Sequence, residues 1–135
     1  MIAYLYRVTK YDSGYRDMLG TYLRDEWTSR RDIGREIDGH VLTEDEFDAT
    51  VNKYLYAFEA FTQESGVTRL TVVGLDEDWA TGPPWDALRN GSTVSLDEAV
   101  ELVRRMLRGD TQAPALEDGD RFYVHVGDNM YMWIG

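Results

Sequence analysis

The chain has 135 residues, of which 43% are hydrophobic and 13% aromatic, a composition that favours one folded core over a disordered chain. It contains no cysteine, which excludes disulfides, thiolate catalysis and cysteine-ligated metal centres. Its 25 acidic and 14 basic residues leave a formal charge of -11, which repels nucleic-acid phosphates and anionic membranes. No apolar run approaches the ~18 residues of a membrane span, so we expect a cytoplasmic protein.

The N-terminal third of the sequence begins with a predicted strand and then loses its periodicity. Residues 2 to 11 are rich in β-forming side chains with alternating apolar character. From Tyr11 to about Gly39 four glycines indicate turns, and residues 29 to 37 could hold a short helix. A long irregular segment in a small domain is uncommon and often functional.

Two helices are predicted from apolar spacing and from their end signals. Residues 43 to 65 repeat apolar side chains every three or four positions, and Thr43 with Glu46 forms a capping box. The second helix begins at Ser95, whose capping-box partner is Glu98, and runs to about residue 108. A glycine directly after each helix supplies the left-handed stop.

Three further strands complete the prediction. Residues 67 to 75 have apolar side chains on both faces, which is typical of a central strand. Residues 121 to 126 and 130 to 134 alternate around Gly127, Asp128 and Asn129, which predicts a hairpin. We therefore expect one α+β domain over residues 1–135, with about four mainly antiparallel strands and two main helices on one face.

An acidic loop with two tryptophans is the leading candidate for a partner-binding surface. Tryptophan is enriched among interface hot spots, and a proline-stiffened loop loses less entropy on binding. A tryptophan also follows two carboxylates in the irregular segment between Tyr11 and Gly39. The alternative is that these indoles fold back over the core. The predicted partner-binding residues are Asp76, Glu77, Asp78, Trp79, Trp85 and Asp86 in the loop, with Asp25, Glu26 and Trp27 in the segment.

A second candidate site surrounds His125 in the predicted hairpin. Tyr123 shares its strand face, and Tyr131 or Trp133 can lie alongside on the next strand, which would make a small polar-aromatic site for a ligand or a reaction. A half-exposed histidine with no such role is the alternative interpretation.

No metal or cofactor is expected. The acidic runs do not have the oxygen spacing of an EF-hand loop. Glycine-rich dinucleotide and phosphate loops, the nucleophile elbow and the His-Glu-x-x-His zinc motif are all absent from the sequence. We therefore assign no catalytic residue, although carboxylate catalysis needs no short motif.

Several short segments in both halves of the chain form a recognisable set: Tyr6–Tyr11, Arg16–Asp17, Asp25–Ser29, Asp32–Gly34, Asp38–Gly39, Thr43–Glu46, Tyr123–Gly127 and Met130–Gly135. These segments resemble a group of small bacterial proteins with which no activity is associated. The resemblance implies a free-standing protein and transfers no catalytic residue, and small acidic proteins of this kind are often immunity proteins or inhibitors.

The expected function is that of an acidic, non-enzymatic binding protein of immunity or inhibitor type, which neutralises a basic partner protein. The alternative is a small enzyme or ligand-binding domain that uses the site around His125. A third possibility is a homodimer that pairs edge to edge through the C-terminal hairpin, since exposed strand edges readily pair. Direct nucleic-acid and membrane partners are not expected.

Overall fold

A computed structural model describes residues 5–76, 88–109, 113–127 and 130–135. Two short 3₁₀ helices, Ser13–Tyr15 and Arg30–Asp32, lie within the segment that connects the first strand to the first helix. The fold is of mixed α and β type. The α-helices are α1 (Glu44–Ser65) and α2 (Leu96–Arg108), and the strands are β1 (Tyr6–Thr9), β2 (Glu36–Ile37), β3 (His40–Val41), β4 (Arg69–Val73), β5 (Thr93–Ser95), β6 (Ala115–Asp118), β7 (Phe122–Val126) and β8 (Tyr131–Ile134).

Six of the strands form one sheet in the order β1-β8-β7-β6-β4-β5, and every neighbouring pair is antiparallel. The first and last strands of the chain pair with each other, and Tyr6 lies opposite Ile134. Strands β2 and β3 form a separate small hairpin around Asp38 and Gly39, whose φ angles of 51° and 78° fit a type I′ turn.

The predicted start and glycine stop of each helix are confirmed, and the capping box is complete at Ser95 and Glu98. At α1 the described contacts show only the Thr43 half of the predicted box, because the Glu46 carboxylate pairs with His40. The Thr43 hydroxyl accepts a hydrogen bond from the Glu46 amide at 3.1 Å, and the Ser95 hydroxyl accepts one from the Glu98 amide at 3.2 Å. Gly66 follows α1 in the left-handed conformation, which avoids the steric cost of a side chain there. Neither described helix combines the length and the apolar character that a membrane crossing requires.

The core lies between the two helices and one face of the sheet. Alternate strand residues point toward the helices, and Phe58 of α1 meets Phe122 of β7 edge to face at 6.1 Å between centroids. We call the opposite side, turned away from the helices, the far face. The fully buried strand side chains are Leu70, Val72, Val94, Leu116, Phe122, Val124, Met132 and Ile134.

The prediction of about four strands is wrong. Strand β5 spans three residues and passes directly into the N-cap of α2, so it is too short to show a period. Strand β6 begins with consecutive buried residues, Ala115 and Leu116, and lacks an alternating pattern. The β2–β3 hairpin was also missed, although Asp38-Gly39 is a recognised hairpin signal. A three-residue 3₁₀ turn and β2 occupy the region where a short helix was considered.

The proposed edge-to-edge homodimer also needs correction. Strand β8 pairs with β1 on one side and with β7 on the other, while β7 pairs with β6. Both strands of the C-terminal hairpin therefore lie inside the sheet and present no free backbone edge. The outermost strands of the described sheet are β1 and β5.

Candidate functional site

The connection between β1 and α1, residues 10–43, contains two of the predicted site carboxylates, and we call it the β1–α1 segment. Side-chain contacts order it where regular structure does not. The Asp32 carboxylate accepts the Thr28 amide at 2.8 Å and the Arg35 guanidinium at 2.8 Å. Burial by itself would raise the pKa of Asp32, but these hydrogen bonds and the Arg35 charge lower it overall.

Trp27 is a core residue of this segment. It is 8% exposed, and its indole meets Phe47 of α1 edge to face at 5.6 Å. The Lys10 ammonium lies 4.2 Å from the ring centroid of Trp27 and 4.2 Å from that of Tyr11. Of the two interpretations open for Trp27, the structure therefore shows the core position.

Lys10 is enclosed between these two rings. Its Nζ is 3.6 Å from Glu26 Oε1, has no solvent exposure and makes no hydrogen bond to the described residues. Burial lowers the pKa of Lys10, and the Glu26 carboxylate partly offsets this effect. Because the amine is inaccessible, the arrangement serves as a cation–π clamp and not as a nucleophile.

Tyr54 of α1 connects the clamp to the C-terminal hairpin. Its hydroxyl accepts the Lys10 backbone amide at 2.6 Å and donates to the Met130 carbonyl at 2.7 Å. Burial raises the pKa of Tyr54 to about 12, so the hydroxyl keeps its proton at physiological pH.

A tight turn, Asp17 to Thr21, forms the most exposed apolar feature of the described chain, and we call it the tip. Met18 is 102% exposed and Leu19 is 92% exposed. The Gly20 amide donates to the Asp17 carbonyl at 3.0 Å, which places Met18 and Leu19 at the two corner positions of a β-turn. The sequence predicted a turn at Gly20, and Asp17 and Gly20 occupy preferred first and fourth turn positions, but Met18 and Leu19 were not predicted as site residues.

Hydrogen bonds fix the conformation of the tip at its base. Asp17 Oδ1 accepts the amides of Leu19 and Thr21, each at 2.9 Å. The Arg16 guanidinium donates to the Gly20 carbonyl at 2.8 Å and to the Tyr131 hydroxyl at 2.7 Å. The turn is therefore held in one conformation by contacts within it and to β8.

The predicted residues Asp25, Glu26 and Trp27 meet at a shallow pocket of about 180 Å³. Asp38 and Glu46 contribute further carboxylates to its wall, and the His40 imidazole lies 2.6 Å from Glu46. Within the described ranges, no three His, Asp or Glu side chains are arranged to hold a metal ion.

Of the acidic tryptophan loop, only Asp76 lies within the described residues. Asp76 is exposed and directly follows the buried Leu75. The other predicted partner-binding residues of this loop, Glu77, Asp78, Trp79, Trp85 and Asp86, lie outside the described residues.

The alternative site residues all lie on the far face of the sheet. His125 is directly opposite Trp133, and Tyr123 and Tyr131 share their side of β7 and β8. The Arg7 guanidinium lies 5.3 Å from the Tyr131 ring centroid and 5.7 Å from that of Trp133. Described residues line one pocket at the β1–α1 segment and another between the two helices. Neither of these pockets is lined by any of the four predicted side chains.

The chain matches no protein-family model, and neither a curated protein nor a solved structure is significantly similar to it. The resemblance to a group of small bacterial proteins therefore stays a prediction.

Proposed function

We propose that this protein is an acidic binding module of immunity or inhibitor type, which binds and neutralises a basic partner protein. One observation carries the proposal: acidic charge concentrates in residues 12 to 48, which cover the β1–α1 segment after Tyr11 and the first turn of α1. Residues 12 to 48 hold eleven of the 25 acidic residues but only five of the 14 basic residues. This stretch therefore accounts for more than half of the net charge of -11.

The arginines of this stretch leave many of its carboxylates uncompensated. Arg35 pairs with Asp32, Arg16 is bonded to Gly20 and Tyr131, and the Arg24 guanidinium lies 4.5 Å from the Tyr15 ring. Seven exposed carboxylates have no cationic group within 4 Å in the described part of the chain. They are Asp12, Asp17, Asp25, Glu36, Asp38, Glu44 and Asp45.

Such a concentration of exposed acidic charge favours a basic partner for a physical reason. Uncompensated charges of one sign steer an oppositely charged protein and increase its association rate, whereas like-charged proteins are repelled. A module that covers a basic surface needs no catalytic group of its own.

The first test is purification from the organism that encodes the chain, at low ionic strength, followed by identification and purification of what co-elutes. We expect a basic protein that binds the purified chain and dissociates as salt screens the carboxylates. A failure to find any basic protein, or binding that does not respond to salt, would contradict the proposal.

The second test locates the binding surface by charge neutralisation. The triple variant Asp12→Asn, Asp25→Asn, Asp38→Asn is expected to lower the association rate about tenfold at low salt, with a smaller change in the dissociation rate. The control is Glu59→Gln, Glu64→Gln, which removes exposed charge from the second half of α1. Equal effects of the two variants would mean that net charge, and not this surface, determines binding.

The arrangement of the far face favours a small-molecule site around His125 as the second candidate. Tyr123, His125 and Trp133 offer two aromatic rings and an imidazole on one side of the sheet, and Arg7 stacks beside them. This combination suits a flat ligand with an anionic group. In an NMR fragment screen, a ligand of this kind should shift the Trp133 indole signal of the wild type and leave that of His125→Ala unchanged. Identical responses of the two proteins would contradict this second candidate.

A further inference from the structure

We propose that the tip is an apolar anchor that inserts into an apolar, basic-rimmed pocket of the partner protein. This inference rests on the proposed function and names the contact that supplies affinity once charge has brought the two proteins together. Its basis is the complete exposure of Met18 and Leu19 at the corners of an ordered turn.

The fold does not require apolar residues at these two positions. Corner positions of turns are usually occupied by Pro, Asn, Asp, Ser or Gly, each for a conformational reason that Met and Leu do not share. Met18 and Leu19 also bury almost no surface, so they contribute little to the core. Two further exposed apolar residues, Leu23 at 65% and Tyr15 at 42%, lie two residues beyond each end of the tip, where the Leu23 amide donates to the Tyr15 carbonyl at 2.8 Å. Isolated exposed apolar residues are common, whereas a contiguous exposed group indicates a contact surface.

The tip is also rigid enough to act as an anchor. The Asp17 carboxylate holds two amides within the turn, and Arg16 ties the turn to Tyr131 of the sheet. Binding therefore costs little conformational entropy, because the anchor is already in its final shape.

Charge decides which occupant fits. Asp12 and Asp25 flank the tip in sequence, Asp17 begins it, and all three are exposed with no cationic group within 4 Å among the described residues. The two arginines nearby, Arg16 and Arg24, instead contact Gly20, Tyr131 and the Tyr15 ring. A second copy of this chain would carry the same charge, and an anionic membrane would be repelled. A protein whose apolar pocket has basic residues at its rim complements both the tip and its surroundings.

Photo-crosslinking in the organism that encodes the chain can test the anchor separately from the charged surface. A diazirine-bearing amino acid replaces one residue at a time: Met18 in the tip, Asp25 on the acidic surface, or Tyr56, which is 76% exposed on α1 and serves as the control. We expect Met18 and Asp25 variants to crosslink the same basic protein and the Tyr56 variant to miss it.

The crosslinked protein is then purified and its binding measured. Met18→Ser, Leu19→Ser is expected to weaken binding at least tenfold, mainly through faster dissociation, while the salt dependence stays as in the wild type. Tyr56→Ser should bind as the wild type does. Asp17→Ala should weaken binding less than the double variant, because it removes the ordering of the tip and one acidic charge but keeps both apolar side chains.

Each remaining outcome identifies which idea fails. A basic partner that crosslinks at Asp25 but not at Met18, or that binds the double serine variant normally, overturns the anchor and leaves the proposed function standing. Crosslinks from Met18 only to lipid or to a second copy of the chain also overturn the anchor. The absence of a basic partner at both positions overturns the function and the anchor together.

Discussion

The helix-backed sheet and the β1–α1 segment are stabilised in different ways. In the sheet and its two helices, buried apolar side chains recur at regular spacing, so stability is shared among many contacts. In the segment, order depends on individual groups such as the Lys10 ammonium, the Asp32 carboxylate and the Arg16 guanidinium. In the proposed function, the first region is the scaffold and the second, with its exposed acids and its tip, is the binding surface.

Removing a core ring is expected to have the largest effect and to act on the whole scaffold. Phe58 has no exposure and packs against Phe122, so Phe58→Ala should lower the free energy of unfolding by about 3–5 kcal/mol. Tyr56→Ala, on the exposed side of the same helix, should change it by less than about 0.5 kcal/mol. Urea denaturation followed by circular dichroism measures both, and a loss below about 1 kcal/mol for Phe58→Ala would mean that the two regions do not differ as described.

Tyr54→Phe is expected to have an intermediate effect, because this hydroxyl joins the two regions. Its loss leaves the Lys10 amide and the Met130 carbonyl without their partner, which should cost about 1–3 kcal/mol. Hydrogen exchange of the Lys10 amide should accelerate as well. Tyr56→Phe is the matched control, and equal exchange rates in the two variants would show that Tyr54 does not hold the segment.

The smallest effect concerns the pH dependence of stability and tests the clamp alone. Burial lowers the pKa of Lys10 in the folded chain below the ordinary 10.5 that it has in the unfolded chain. Between the lowered pKa and 10.5, the unfolded chain therefore binds more protons than the folded chain. Stability should therefore rise with pH across that window. The raised pKa of Tyr54 has the opposite effect above pH 10, since the unfolded chain then loses its tyrosine proton first.

The measurement compares the wild type with Lys10→Met by urea denaturation at several pH values up to 10. The free energy of unfolding of the wild type minus that of the variant should increase as pH rises. Deprotonation of Lys10 removes a buried charge in the wild type, and the variant has no such charge to lose. A difference that is constant with pH would show that Lys10 titrates as it does in water and is not enclosed by Tyr11 and Trp27.

Those parts of the fold whose signals are local could be predicted from the sequence. Both helices begin and end within one residue of the predicted positions, because Thr43, Ser95 and the glycines after each helix act on their nearest neighbours. The hairpin of β7 and β8 and the central strand β4 were found from alternation and from consecutive apolar residues. The shared side of His125 and Tyr123 also followed from strand parity.

The candidate site was predicted less well, because it depends on contacts between distant residues. Trp27, a predicted contact residue, is buried because Phe47 and Lys10 happen to meet it, and its neighbours in sequence do not reveal this. The tip showed a turn signal, but the exposure of Met18 and Leu19 depends on the segment being tied to Tyr131, more than a hundred residues away.

The sequence by itself determined the helices, four of the eight described strands, the acidic charge and the absence of cysteine chemistry, since each depends on composition or on spacings of a few residues. Tertiary structure alone decided that β1 pairs with β8, that six strands form the main sheet and that Lys10 lies between two aromatic rings. These features join residues far apart in the chain, and many such pairings satisfy the same local pattern. Only the packing of the whole domain selects among them.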